Sequence, residues 1–375
     1  MIPPTIHFRI LQRRSFRRLR ALLLLGPLAG PCAAGEILVW QDVRQLGVEG
    51  RGWPETRDFY DRLPARAQAL VRPPVWDLSH DSAGLCVRFV TDATEIHARW
   101  AVTRSWLYQP NATAIAVSGL DLYVQTDHGW HWLAVGTPQA PTNEVTLVRH
   151  LLPGKRQYLL YLPLYNGIKF LELGVPAPAL LEKAPAWGPG VRKPIVFYGT
   201  SILQGLAASR PGMVYSAILQ RRFNWPVINL GFSGNGKMDP EMADLLAELD
   251  PSIYVIDCLP NMVAEEIKAR TEPLVRKLRL VHPQVPIVLV EDRTMQDSFL
   301  ITGRMEDYHA RDRAALKAAF DRLQADGVSG LYYIPGDDLL GDDGEGSTDG
   351  SHPNDLGFVR QADVFAQTLA PLLRP

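Results

Sequence analysis

The chain has 375 residues, 46% hydrophobic and 21% charged, a composition that excludes disorder and a length that suits two domains. Its formal net charge of −1 hides an asymmetry: the first 34 residues hold six arginines and no acid. The remainder keeps 33 of the 39 basic residues against all 40 acidic ones, near −7, which does not suit a nucleic-acid binder, since that needs a basic surface to meet phosphates.

Those arginines (Arg9, Arg13, Arg14, Arg17, Arg18 and Arg20) precede the apolar run Ala21 to Leu28, and small residues follow through Ala34. The pattern reads as a signal peptide over residues 1–34, cut near Ala34-Gly35, with export to the periplasm or outside the cell. Arg13-Arg14-Ser15-Phe16 also fits a twin-arginine signal, so two export routes stay open. Pro31 directly before Cys32 disfavours a lipoprotein. The apolar run is too short to leave a stable membrane span in the mature protein. Cys86 and Cys258 remain, too few for a disulfide framework. Cys258 lies in the apolar run Ile253 to Leu259, which suits a buried free thiol. No cofactor is expected, and no spacing suits a metal.

Residues 36–178 read as an all-β domain. Asp58 to Val71 suits a short helix. Short strands follow from Val75: Leu85–Val90, Glu95–Trp100, Leu120–Gln125, Trp130–Val135, Glu144–Leu151, Gln157–Leu162 and Phe170–Val175. Their spacing predicts a β-sandwich or jelly roll. Trp130-His131-Trp132 places two aromatics on one strand face, which suits a packed core better than a sugar platform. The proline-rich stretch from Val175 to Pro194 reads as a connection.

Residues 192–375 alternate strand and helix. Strands are expected at Ile195–Tyr198, Val227–Leu230, Ile253–Cys258, Pro286–Val290 and Leu331–Ile334. Helices are expected at Met213–Phe223, Pro240–Leu249 with Asp239 as N-cap, Val263–Val281, Tyr308–Asp326 and Leu356–Leu372. The pattern predicts a parallel sheet covered on both faces.

Each strand end carries polar chemistry. The first ends at Gly199-Thr200-Ser201, the second at Ser233-Gly234-Asn235-Gly236, the third at Asp257-Cys258-Leu259-Pro260-Asn261. Asp349-Gly350-Ser351-His352 follows the fifth. In a parallel sheet these ends share one edge. Ser201 is then the candidate nucleophile, His352 its base and Asp349 the acid that orients the imidazole. The Ser201 and Gly234 N–H groups and the Asn261 side chain are candidates for the oxyanion hole. Asn235 and Asp257 are candidate pocket residues, and Glu291, Asp292 and Arg293 also sit at a strand end.

These four segments, in this order, resemble those of the SGNH (GDSL-like) hydrolases. The resemblance covers roughly Lys193 to the carboxyl terminus. It implies an α/β, flavodoxin-like three-layer fold and metal-free ester hydrolysis through an acyl-enzyme. Thr200 and Met262 depart from the usual pattern, which has Asp at both places. Gly119-Leu120-Asp121-Leu122-Tyr123 resembles the GxDLY motif of a β-domain that precedes SGNH hydrolases of glycan-degrading systems. Relatives of this kind are similar to carbohydrate esterases, which implies an acylated carbohydrate, or another small ester, as partner. The rival expectations are a lipase or thioesterase on the same fold, and a glycan-binding protein without catalysis.

Overall fold

The computed structural model describes residues 37–301, 303–304 and 309–373. The expected signal peptide lies outside them. Ten strands make the first part: β1 (Leu38–Asp42), β2 (Val48–Glu49), β3 (Cys86–Thr91), β4 (Ile96–Val102), β5 (Leu120–Thr126), β6 (Gly129–Gly136), β7 (Thr142–Val148), β8 (Arg156–Tyr161), β9 (Ile168–Pro176) and β10 (Leu181–Lys183). One sheet runs β1-β9-β4-β7 and the other β10-β3-β8-β5-β6, with β2 beside β3. The pairs are antiparallel. Alternate residues of both sheets meet in one core: Ala98, Trp100, Leu171 and Leu173 from one, Val87, Phe89, Leu122 and Leu160 from the other. This is a sandwich, as the period-2 pattern predicts.

Three strands were not expected. The short β1 and β2 lie in a mixed charged stretch, and β10 falls inside the proline-rich connection, where Leu181 pairs with Thr91. The helix expected over Asp58 to Val71 is reduced to a 3-10 turn, Ala65–Ala69, and the helix forms later, at Pro73–Ser79. Pro73 and Pro74 explain the shift: they fill the first turn, where N–H groups need no helical acceptor. Val75 and Trp76 are therefore helical, and with Trp53, Leu63 and Val71 they pack against a third sheet, which follows the sandwich in the chain.

That sheet contains β11 (Ile195–Gly199), β12 (Val227–Gly231), β13 (Ile253–Asp257), β14 (Ile287–Val290) and β15 (Leu331–Ile334), in the order β12-β11-β13-β14-β15. All neighbours are parallel. The chain starts near the middle and winds both ways, the flavodoxin-like arrangement. Val196, Tyr198, Ile256 and Leu289 face the helices Pro240–Ala247, Ala264–Val281 and Arg311–Ala325. Phe197, Val227, Val255 and Val288 face Tyr215–Phe223 and Asp355–Leu369. Near-continuous apolar strands follow from burial on both sides. Among the described residues, no helix is long and apolar enough to cross a membrane.

Asp239 stands at the expected cap position, but its side chain caps nothing. Its carboxylate is taken instead by Arg72 (2.9 Å) and Arg270 (3.0 Å). Trp130 also differs from expectation. It leaves the sandwich core and packs 6.4 Å from Trp187, with its indole N–H donating to Asn224 Oδ1 at 3.3 Å. Cys86 and Cys258 are free and buried.

Candidate active site

The parallel register sets Gly199 beside Gly231 on one side and Asp257 on the other. The loops after β11, β12 and β13 therefore leave the sheet at one edge. Close approach there demands small residues. A Cβ on Gly236 would lie 2.0 Å from the Gly199 carbonyl oxygen, and Gly234 has φ +69. Glycine meets both conditions without strain.

Ser201 opens the short helix Ser201–Gln204, capped by Thr200, whose Oγ1 accepts from the Ile202 N–H at 3.3 Å. Ser201 Oγ lies 3.0 Å from His352 Nε2. His352 Nδ1 lies 2.8 Å from Asp349 Oδ2. The other Asp349 oxygen accepts the N–H groups of His352 (2.7 Å) and Ser351 (3.1 Å). Partial burial pushes this carboxyl up, but hydrogen bonds from the His352 amide and imidazole, the imidazole charge and the Ser351 amide outweigh it and hold it at about 2. A charged Asp349 favours the tautomer with the proton on Nδ1. That leaves the Nε2 lone pair to accept from the serine hydroxyl.

Among the described residues, the Gly234 N–H has no protein acceptor. Asn261 ends the 3-10 turn Leu259–Asn261 after β13. Its Oδ1 is buried without a partner.

The two candidate pocket residues are held within the protein. Asn235 Oδ1 accepts from Arg72 at 2.7 Å, and its Nδ2 donates to the Ser233 carbonyl at 2.9 Å. Asp257 is buried, accepting from the Tyr215 hydroxyl at 2.8 Å. Burial pushes its carboxyl up to about 7. A buried group that prefers its proton weakens the fold as pH rises from the ordinary carboxylate range toward 7. Asp257→Asn keeps an acceptor for Tyr215 and carries no charge. Its gain in melting temperature over wild type should therefore be larger at about pH 8 than at about pH 5. An equal gain at both values would show that Asp257 keeps its charge when buried.

Several residues of this edge escaped the sequence reading. Arg293, known only as a strand-end residue, is buried and donates Nε–H to the Ser351 carbonyl at 2.9 Å, holding the residue before His352. It also contacts the Ser351 hydroxyl and Asp292. The β-sandwich side contributes too. Asn111 Nδ2 lies 3.4 Å from Asp349 Oδ2, and the Tyr165 hydroxyl donates to the Ser201 carbonyl at 3.3 Å. Asp121 of the GxDLY stretch accepts from Arg210 (2.9 Å) and the Gly212 N–H (2.8 Å), and Tyr123 also contacts Arg210. The motif thus anchors the loop that follows the nucleophile helix. Away from this edge, Asp58, Asp61 and His80 bring ligand-type atoms within 4.8 Å of one another, but His80 Nδ1 already pairs with Asp61 at 2.9 Å.

A sequence profile of the GDSL-like Lipase/Acylhydrolase family matches residues 192–370. A second profile, described as the N-terminus of SGNH-hydrolase-type esterases (GxDLY), matches residues 38–181. A solved structure from Bacteroides ovatus, assigned as a candidate GDSL-like lipase, is 36% identical, with a TM-score of 0.84; the match covers 90% of this chain and 98% of that one. This chain belongs to the GDSL-like lipase/acylhydrolase family. Membership makes it an ester hydrolase, with the SGNH fold and an N-terminal antiparallel β-domain. Two further solved structures of similar fold are more distant. A salicylyl-acyltransferase from a tetracycline biosynthetic pathway is 19% identical with a TM-score of 0.70, covering 91% of this chain and 98% of its own. A family two carbohydrate esterase from Clostridium thermocellum, solved with cellohexaose, is 16% identical with a TM-score of 0.54, covering 78% and 94%. At these identities the likeness is one of fold. No curated protein matches the chain.

Proposed function

We propose that the chain is an exported serine esterase that removes O-acetyl groups from a carbohydrate in the periplasm or outside the cell. The observation that carries the chemistry is the Ser201–His352–Asp349 chain of contacts, 3.0 and 2.8 Å long. Ser201 Oγ attacks the ester carbonyl while its proton passes to His352 Nε2. The negative charge moves to the carbonyl oxygen, where the N–H groups of Ser201 and Gly234 and the Asn261 amide stabilise it. As the C–O bond to the sugar breaks, His352 returns the proton to the leaving alkoxide. Water then attacks the acyl-enzyme by the same route, releasing acetate and restoring Ser201.

The oxyanion assignment has its own test. Asn261→Ala should lower kcat by about 10²–10³, the usual cost of one donor. Full activity in this variant would remove Asn261 from the hole.

The carbohydrate part rests on the GxDLY-type domain and on a carbohydrate esterase of the same fold. One observation favours a longer acyl chain instead. Phe299 and Leu300 are 84% and 79% exposed, on a segment tied to the catalytic loop by the Gln296 N–H, which donates to the Gly350 carbonyl at 2.9 Å. Acyl release from aryl esters of increasing chain length, beside acetate release from a panel of acetylated polysaccharides, separates the two readings. Acetyl esters turned over fastest, with acetate freed from at least one polysaccharide, is the expected result. Faster turnover of long-chain esters, with no acetate from any polysaccharide, would replace this reading with a lipase.

A further inference from the structure

We propose that Gln204 and Asp81 are positioning residues that set the oxyanion loop, so that the polar network of the N-terminal part helps to build the catalytic centre. The inference rests on the reading of Ser201 and Gly234 given above. Gln204 is fully buried, at the end of the helix that Ser201 begins. Its Oε1 accepts from the Ser233 N–H at 2.9 Å. Its Nε2 donates to Asp81 Oδ2 at 3.0 Å and to the Leu164 carbonyl at 3.2 Å. One amide therefore joins the nucleophile helix, the residue before Gly234 and a buried carboxylate from outside the parallel sheet.

The chemistry of each end is fixed. Only an acceptor satisfies the Ser233 N–H, and only a donor satisfies the Asp81 carboxylate and the Leu164 carbonyl. The carboxylate is itself held by Arg104, and Arg62 fixes the backbone of the same residue by donating to the Asp81 main-chain carbonyl at 2.8 Å. A carboxylate on the NH₂ end polarises the amide and strengthens Oε1 as an acceptor. Asn235 N–H and Gly236 N–H both donate to the Phe232 carbonyl (2.8 and 2.9 Å), which closes the turn on its far side. The bond to Ser233 holds the near side. With both fixed, the free Gly234 N–H keeps one direction.

The test uses the full chain with an aryl acetate, at pH values from about 5 to about 9. Gln204→Ala should lower kcat about 10–100-fold, the scale of a misplaced oxyanion donor, with KM within about twofold. Gln204→Glu keeps an acceptor for Ser233 but sets a second carboxyl against Asp81. Two buried carboxyls in contact hold a shared proton to higher pH. This variant should lose kcat as pH rises through the range where wild type stays active, while its circular dichroism spectrum stays that of the folded protein, a combination that a purely structural role would not produce. Wild-type kcat in Gln204→Ala, or a loss confined to KM, would overturn the inference. So would a Gln204→Glu pH profile parallel to that of wild type, and this comparison decides the matter if Gln204→Ala does not fold. Ser201→Ala is assayed alongside. Retained activity there would show that the reading of the nucleophile had failed, whereas an inactive Ser201→Ala beside a fully active Gln204→Ala refutes the positioning role alone.

Discussion

Ser201→Ala is expected to lower kcat on an aryl acetate by about 10⁴–10⁶. The magnitude follows from the geometry. Ser201 Oγ lies 3.0 Å from His352 Nε2, so its proton has an acceptor at hydrogen-bond distance before any substrate binds. Without Oγ no acyl-enzyme forms, and the remaining groups can only stabilise attack by water. The oxyanion donors and substrate binding then account for the residual rate. The fold should not suffer, because alanine removes one hydroxyl from a helix start whose cap, Thr200, remains. An assay with matched circular dichroism spectra separates the two effects. Activity within about tenfold of wild type would place the nucleophile elsewhere.

The second large effect is on stability. Arg62→Leu should destabilise the protein by about 3–5 kcal/mol, the scale for breaking a buried charged network. Arg62 is 1% exposed. Its guanidinium donates to the carbonyls of Asp81 (2.8 Å), Leu78 (2.7 Å) and Gly231 (2.7 Å). Burial lowers its pKa to about 10, with Asp81 opposing, so the side chain stays charged at neutral pH. Leucine would take this donor from the Asp81 and Gly231 carbonyls, at about 1–3 kcal/mol for each one that water cannot reach, while the Leu78 carbonyl keeps the Asp81 N–H at 3.1 Å. Arg62→Lys should recover little, because an ammonium cannot reproduce the planar fork. Urea melts of the three proteins measure both claims. A loss below about 1 kcal/mol in Arg62→Leu would mean that water replaces the guanidinium.

The sequence was most legible where a local pattern governs structure. The five strands of the parallel sheet fall within a residue or so of their expected places, because runs such as Ile195–Gly199 are buried on both faces. Seven sandwich strands were equally plain from alternation and from turn residues such as Asp127-His128-Gly129. The segments that carry Ser201, Gly234, Asn261 and His352 could be read as one edge, since parallel strands present their ends together. Legibility failed where a distant partner decides. Asp239 reads as a cap, yet Arg72 and Arg270 take its carboxylate. Arg62 looks like a surface charge in a mixed stretch, and only carbonyls far along the chain, such as that of Gly231, bury it. Gln204 carries no signal at all, because its meaning lies in Asp81 and Ser233 arriving at its two ends. The helix displaced from Asp58–Val71 to Pro73–Ser79 has a local cause, the two prolines that fill its first turn.

The central claim is that Ser201 is the residue that carries the acyl group. The most direct measurement is intact-protein and peptide mass spectrometry after treatment with an aryl phosphonate ester, which traps activated serines as stable adducts. One adduct per chain, mapped to Ser201 and absent in His352→Ala, is the predicted result. Unmodified protein under conditions that label a known serine esterase, or an adduct on another residue, would contradict the account.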